Sequence, residues 1–245
     1  MNILFMGGKN IGYGCLEYLL NCNYYNIIGA IINSEDVDGQ WFRSVSVLCK
    51  KKKIPVYCWK KLAEGLEVIQ KLNPDLIVVT YFDQILKKDI IEIPRLGCIN
   101  LHMALAEDYR GCYPTTWALI NGEIKAGVTL HYIDEGIDSG DIIAQKEVEI
   151  TADDTGKTLY NKCTLAGITL FKEVIPLFLK NKVPRRKQET GKRYYKREFP
   201  SLEIDLSKSV DEIKNLVRAL TFKPFPPPYF WIGNRKMIII EGDTK

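Results

Sequence analysis

The sequence predicts an α/β fold: a Rossmann-like, mostly parallel sheet with helices on both faces, followed by a small C-terminal helix and a β-hairpin. Three observations carry this reading. Short apolar runs rich in β-branched residues, Ile27–Ile32 and Asp75–Thr80 among them, read as strands buried on both faces. They alternate with segments of helical periodicity, the arrangement that builds βαβ units and a parallel sheet. Past Pro184 the pattern changes to charged and proline-rich sequence that ends in two short apolar runs about Gly233-Asn234, a hairpin signal.

In order, Asn2–Met6 is the first strand, an apolar run that stops at Gly7-Gly8. Ile11–Leu20 follows as a helix with Ile11, Leu16, Leu19 and Leu20 inward. The intervening turn, Gly7-Gly8-Lys9-Asn10-Ile11-Gly12, is a tight βα turn that can also cradle an anion at a helix N-terminus. It lacks the Gly-x-Gly-x-x-Gly spacing of dinucleotide sites. Ile27–Ile32 is the second strand, and a polar loop, Asn33–Gln40, leads to Trp41-Phe42-Arg43. Two readings are open there: Trp41 stacks a base while Arg43 pairs a phosphate, or Trp41 caps the core. Ser44–Lys53 reads as a helix, Ile54–Cys58 as a third strand, Leu62–Leu72 as a helix ended by Asn73-Pro74, and Asp75–Thr80 as a central strand.

Further on, Cys98-Ile99, Val128–Ile133 and Asp141–Ile150 supply strands. Thr155–Leu179 is a long amphipathic helix that buries Leu159, Cys163, Ala166, Leu170, Val174 and Leu177 at helical spacing. Pro184 and the charged run to Arg197 divide a main domain, 1–184, from an extension, 185–245. The extension holds a helix, Val210–Leu220, and hairpin strands Tyr229–Ile232 and Lys236–Ile240. Phe230, Ile232, Met237 and Ile239 exceed what an isolated two-stranded element buries, so a homodimer is expected.

Composition narrows the class. A chain of 245 residues with 46% hydrophobic content suits one soluble α/β domain and an appendage. No apolar run approaches the roughly 20 residues of a membrane span. The N-terminus runs through Asn2–Met6 straight into glycines, so no signal peptide is expected. Seven cysteines, odd in number and never in Cys-x-x-Cys, read as reduced thiols of a cytoplasmic protein without structural zinc. The net charge of +4 is too mild to imply nucleic acid, and the runs Lys50–Lys53 and Arg185-Arg186-Lys187 read as solvated faces or loop edges.

The chemistry concentrates between Gly97 and Asp141. The Cys98-Ile99 run ends in Asn100-Leu101-His102, so Asn100 and His102 share one face of an extended strand, about 6.6 Å apart. The next apolar run ends in a loop that carries Asp138. Strand ends followed by glycine-rich loops are where open α/β sheets place their chemistry. Each residue alone also fits a strand end, a loop histidine or a turn aspartate. Together they suit an acid/base site with an oxyanion donor.

The order Asn100-x-His102, Arg110-Gly111, Pro114, Asn121-Gly122, Gly127-Val128-Thr129 and Asp134-x-Gly-x-Asp-x-Gly-Asp141 resembles the signature of formyltransferases that use 10-formyltetrahydrofolate. That superfamily includes glycinamide ribonucleotide transformylase, methionyl-tRNA formyltransferase and the sugar-nucleotide N-formyltransferases. One departure is visible: Met103-Ala104-Leu105-Ala106-Glu107 stands where members usually read Pro-Ser-Leu-Leu-Pro or similar. The resemblance implies the formyltransferase fold and attack of a neutral primary amine on the formyl carbon. His102 would move the amine proton, Asn100 would donate to the oxyanion, and Asp138 would support the imidazolium. It further implies a folate pocket walled by Asp83, Gln84, Ile85 and Leu86 on one side and by Ile133, Asp134 and Glu135 on the other. Gly8, Lys9 and Asn10 would face the acceptor, with Trp41, Arg43, Arg110 and Gly111 as further substrate contacts. No metal is expected.

Among acceptors, the chain most resembles enzymes that formylate a dTDP-linked amino-dideoxysugar for surface polysaccharide synthesis, with a lean to dTDP-4-amino-4,6-dideoxyglucose. The expected ligands are therefore a sugar nucleotide and the folate co-substrate, with no nucleic-acid or membrane partner. The alternatives are a methionyl-tRNA formyltransferase, a formyltetrahydrofolate hydrolase and, from another class, a nucleotide-binding regulatory domain.

Overall fold

The fold is built outward from one strand, β1 (Asn2–Gly7), whose side chains alternate between two cores. The computed structural model describes residues 1–34, 36–37, 41–189 and 193–240, so Glu35 and Asp38–Gln40 of the expected polar loop lie outside the described residues. Ile3 and Phe5 enter the larger cluster, and Leu4 and Met6 enter a smaller one on the opposite face. That alternation is the period-two geometry of a strand covered on both sides.

The chain continues through α1 (Lys9–Leu20), β2 (Asn26–Ile31), α2 (Val45–Lys51), β3 (Val56–Tyr57), a 3-10 turn (Leu62–Gly65) and α3 (Leu66–Leu72). Next come β4 (Leu76–Thr80), α4 (Lys88–Ile91), β5 (Cys98–His102), β6 (Tyr109–Gly111), α5 (Pro114–Ile120), β7 (Lys125–Tyr132), β8 (Ile142–Glu149) and α6 (Gly156–Leu179). The last elements are β9 (Arg193–Tyr195), α7 (Val210–Leu220), β10 (Tyr229–Ile232) and β11 (Arg235–Ile238).

Seven strands form the main sheet in the order β3-β2-β1-β4-β5-β7-β8. The pairings from β3 to β5 are parallel, while β7 joins β5, and β8 joins β7, antiparallel. The order reverses beside β1, which opens a crevice at the carboxyl ends of β1 and β4, where such sheets bind ligands. Gly7 shapes that end: at φ +151°, a Cβ on it would lie 1.9 Å from the Thr80 carbonyl oxygen. The Gly8 N–H donates to that same oxygen at 3.2 Å, which draws the start of α1 onto the end of β4.

The expected fold class is the one observed, with local differences. The second helix stops at Lys51 because Lys52 caps it and Lys53 turns left-handed (φ +57°). The third strand shrinks to two residues. In α6 the large apolar side chains buried are Leu159, Tyr160, Cys163, Leu170, Phe171, Val174, Ile175 and Phe178, and Ala166 and Leu177 are only half-buried. The wider stripe follows from its position against the sheet strands and α1 together. A capping box between Thr155 and Thr158 starts that helix. The small parallel pair β6–β9, which sets Arg193–Tyr195 beside Tyr109–Gly111, was not among the expected elements. The hairpin forms as expected from Tyr229, with Phe230 opposite Met237. Among the described residues no helix is long and apolar enough to cross a membrane.

Candidate active site

Ile99 and Leu101 of β5 point into the larger core, so alternation turns Asn100 and His102 to the other face. Antiparallel pairing with β7 sets His131 opposite Asn100 and Thr129 opposite His102. Val128 and Leu130 likewise enter the core, which leaves Thr129 and His131 on the side of the candidate pair. The loop after β7 then returns Asp138 onto this cluster.

The three expected residues meet. The Asn100 amide donates from Nδ2 to Asp138 Oδ1 at 3.1 Å, and His102 Nδ1 lies 3.6 Å from Asp138 Oδ2. A fourth member joins them: His131 Nε2 is 3.3 Å from Asn100 Nδ2 and 3.5 Å from Asp138 Oδ1. His102 and His131 are the two histidines of the chain, and both face one carboxylate. Sequence reasoning passed over His131. The available signal was a polar residue at every second position, Thr129 and His131, within an otherwise apolar buried strand.

Hydrogen bonds fix the ring orientations. His102 Nε2 is 3.0 Å from the Tyr109 carbonyl and must donate to it. His131 Nδ1 donates to the Tyr132 carbonyl at 2.7 Å, so in the neutral ring Nε2 accepts from Asn100. The Asn100 amide cannot be flipped without setting its oxygen against the carboxylate.

Asp138 is enclosed, its side chain only 13% exposed. Burial works to raise its pKa. The charges that His102 and His131 carry when protonated, with hydrogen bonds from His131 and the Gly111 N–H, outweigh burial and hold the carboxyl below the usual carboxylate range. A depressed folded-state pKa contributes stability above the unfolded value of about 3.9 and loses it as pH falls through the folded value. Asp138→Asn should therefore destabilise the chain above about pH 4, measured by chemical denaturation, because the carboxylate accepts from Asn100 Nδ2 and the Gly111 N–H, and the gap to wild type should narrow as pH falls below that value. A gap that persists unchanged at pH 3 would contradict this charge assignment.

The departure at Met103–Glu107 folds inward. Met103, Ala104 and Ala106 are buried, and Thr129 staples the turn by donating from Oγ1 to the Ala104 carbonyl (2.6 Å) and accepting from Ala106 N (3.0 Å). This path delivers the Tyr109 carbonyl to His102. Glu107 is held by Arg186 through two hydrogen bonds at 2.8 and 3.0 Å.

The other expected residues distribute as follows. Ile85 is exposed at 55%, while Leu86 is buried in the smaller core, where Ile133 packs against the same cluster. Gln84 binds Leu62 N and the Trp59 carbonyl through its side chain, and Asp83 pairs with Arg197 at 3.5 Å. Asp134 accepts from Gly136 N and Ser139 Oγ, which closes its loop, and Glu135 stays exposed. At the βα turn, Gly8 is buried and Lys9 lies with Nζ 3.6 Å from the Phe42 ring centroid. Asn10 ties down the neighbouring segment through the Trp41 carbonyl and Arg43 N.

Two of the expected substrate residues have partners within the chain. Trp41 packs edge-on against Phe42, Tyr160, Phe222 and Phe225, so of its two readings the core cap holds. Arg43 turns onto α1, over the Tyr13 ring and 3.6 Å from Glu17, because these supply its π-face and charge partner. Arg110 reaches the rim of the site and donates to Gln188 and to the Glu189 carbonyl, while Gly111 N donates to Asp138 Oδ2 at 2.9 Å.

Comparison with known proteins agrees with this geometry. The family model described as formyl transferase matches residues 39–175. The methionyl-tRNA formyltransferase of Clostridioides difficile (strain 630) is 40% identical over 240 residues, covering 94% of this chain and 76% of that one. Among solved structures, the sugar 3N-formyl transferase WlaRD, crystallised in the presence of dTDP and 5-N-formyl-THF, superposes with a TM-score of 0.79 at 29% identity, over 96% of this chain and 84% of that one. The N-formyltransferase from Helicobacter canadensis, in complex with folinic acid and dTDP-3-aminofucose, gives 0.78 at 30% identity over 94% and 84%. With Asn100, His102 and Asp138 brought together at the end of β5, and with a sequence that matches this model and these relatives, the chain belongs to the formyl transferase family.

Proposed function

We propose that the chain moves a formyl group from 10-formyltetrahydrofolate to the primary amine of a dTDP-linked amino-dideoxysugar. The observation that carries the chemistry is the convergence of Asn100, His102 and His131 on the enclosed carboxylate of Asp138. Formyl transfer to an amine needs a group to take the amine proton and a donor for the oxygen on which charge develops.

The tautomer assigns the atoms. His102 Nε2 already holds the proton it donates to Tyr109, so Nδ1 takes the amine proton. A proton on Nδ1 faces Asp138 Oδ2, which stabilises the resulting cation until the proton passes to the folate nitrogen, which leaves as its bond to the formyl carbon breaks. Asn100 keeps one N–H on Asp138 and turns the other, the longer contact to His131, onto the developing oxyanion. Exposed apolar side chains on the two expected folate loops, Ile85 at 55% and Ile137 at 39%, suit the pterin ring. Lys9 brings positive charge to the βα turn and is the proposed contact for the diphosphate, with Gly8 and Asn10 shaping that wall.

The sugar as acceptor is supported by the two solved relatives above, one a 3N-formyl transferase and the other bound to dTDP-3-aminofucose. The sequence leans instead to a 4-amino sugar, so both positions belong in the test. A second reading, methionyl-tRNA as acceptor, is favoured by the identity to the C. difficile relative. Competition between dTDP-3-amino and dTDP-4-amino dideoxysugars and methionyl-tRNA, read by mass spectrometry, decides. Exclusive formylation of the tRNA would overturn the sugar assignment.

The same reading includes a homodimer formed through the C-terminal hairpin. Trp231, Ile232, Met237 and Ile238 are exposed there, on two strands whose one further β partner among the described residues is the bridge from Tyr229 to Glu203. Deleting residues 228–245 should convert a dimer into a monomer, or an aggregating chain, by light scattering. A full-length protein that stays monomeric at micromolar concentration would contradict the dimer.

A further inference from the structure

Asp138 stands in the left-handed region, at φ +49°, where an L-residue pays roughly 1–2 kcal/mol and Asp is among the tolerated types. Its carboxylate reaches His102 and Asn100 only while the backbone stays in that region. The loop around it is closed at its base by Tyr132 N on the Asp141 carbonyl and internally by Asp134 on Gly136 and Ser139. Neither set of bonds reaches the peptide of Asp138.

Gln188 does. Its Nε2 donates to the Asp138 carbonyl at 3.0 Å and to the Gly140 carbonyl at 2.6 Å. Its Oε1 accepts from Arg110 Nη2 at 2.8 Å, next to the Gly111 N–H that binds Asp138 Oδ2. One amide therefore joins the two loops that converge on the carboxylate. The polarity admits no flip, since the reverse orientation would set an oxygen against two carbonyls and nitrogen against a guanidinium. Gln188 is itself anchored. Arg186 pairs with Ile142 at the start of β8 by two main-chain hydrogen bonds of 2.7 and 2.9 Å, and Glu189 N donates to Glu107.

We infer that Gln188, from the segment the sequence sets outside the main domain, is a positioning residue for formyl transfer. It holds the main chain of Asp138 so that the carboxylate stays against His102 and Asn100. The kinetic consequence rests on the formyl-transfer reading, and the structural consequence stands without it.

Two variants test this. Gln188→Met keeps the volume and removes all three hydrogen bonds, and Gln188→Glu keeps an acceptor for Arg110 but loses the donors. Each should lower kcat by roughly 10- to 100-fold with the KM values within about threefold, because a displaced group affects the reacting geometry more than binding. Added to Asp138→Asn, either change should cost nothing further, since Gln188 acts through that carboxylate. The spectroscopic arm needs no activity. Both histidines of the chain face Asp138, so their imidazole 15N resonances at fixed pH should move in either variant while the rest of the amide spectrum overlays wild type. Superimposable imidazole spectra, unchanged kcat, or additive losses in the double variant would each overturn the inference. If wild type transferred no formyl group and the imidazole resonances still moved, the functional reading would fall and the positioning role would stand.

Discussion

His102→Ala is expected to lower kcat by roughly 100- to 10,000-fold, the range typical of losing a positioned acid/base group. No neighbour can substitute. His131 is 2% exposed and its acceptor nitrogen, Nε2, is already covered by the Asn100 amide, while the depressed pKa of Asp138 makes it a poor base. The variant should also lose any rising limb with pH in kcat/KM that the wild type shows. Its folding cost is larger than a strand-end position near solvent would suggest. His102 is only 8% exposed, and its removal leaves the Tyr109 carbonyl without that donor, at about 1–3 kcal/mol. Activity should therefore be compared below the variant's own melting temperature. Near wild-type kcat with saturating substrates would remove His102 from the mechanism.

Asn100→Ala should cost about 100- to 1,000-fold in kcat, the usual price of one oxyanion donor, with little change in either KM. The asymmetry arises because the oxyanion exists only as the reaction proceeds, so its donor acts on the transition state rather than on binding. The substitution also frees His131 Nε2 and Asp138 Oδ1 from their shared donor. A variant that raised KM while leaving kcat intact would place Asn100 in substrate binding instead.

Much of this arrangement was legible in the sequence because its signals are local. Unbroken apolar runs such as Asp75–Thr80 declare buried strands, and a two-residue spacing puts Asn100 and His102 on one face whatever follows. What stayed hidden depends on pairing between distant segments. His131 enters the site only through the antiparallel register that sets it opposite Asn100. Gln188 lies beyond Pro184, in a charged run whose composition reads as a boundary, yet it bonds the Asp138 and Gly140 carbonyls. Tyr195, from the same stretch, stacks between Tyr109 and Trp117 at centroid distances of 5.9 and 4.4 Å. Charge content marks a segment as solvent-tolerant and says nothing of which loops it crosses. Trp41 illustrates the converse: an aromatic beside an arginine suits a nucleotide site in sequence, and only the four surrounding rings assign it to the core.

The most direct test of the central claim follows one carbon atom. Wild type, Asn100→Ala and His102→Ala would each be incubated with 10-formyltetrahydrofolate carrying a 13C-labelled formyl group, with and without the amino-sugar nucleotides, and the label traced by NMR. The account predicts that wild type moves the label into an N-formyl group on the acceptor, that each molecule of folate released matches one of product, and that both variants are slowed at least 100-fold. Label that appears as free formate at the same rate with or without an acceptor would contradict it.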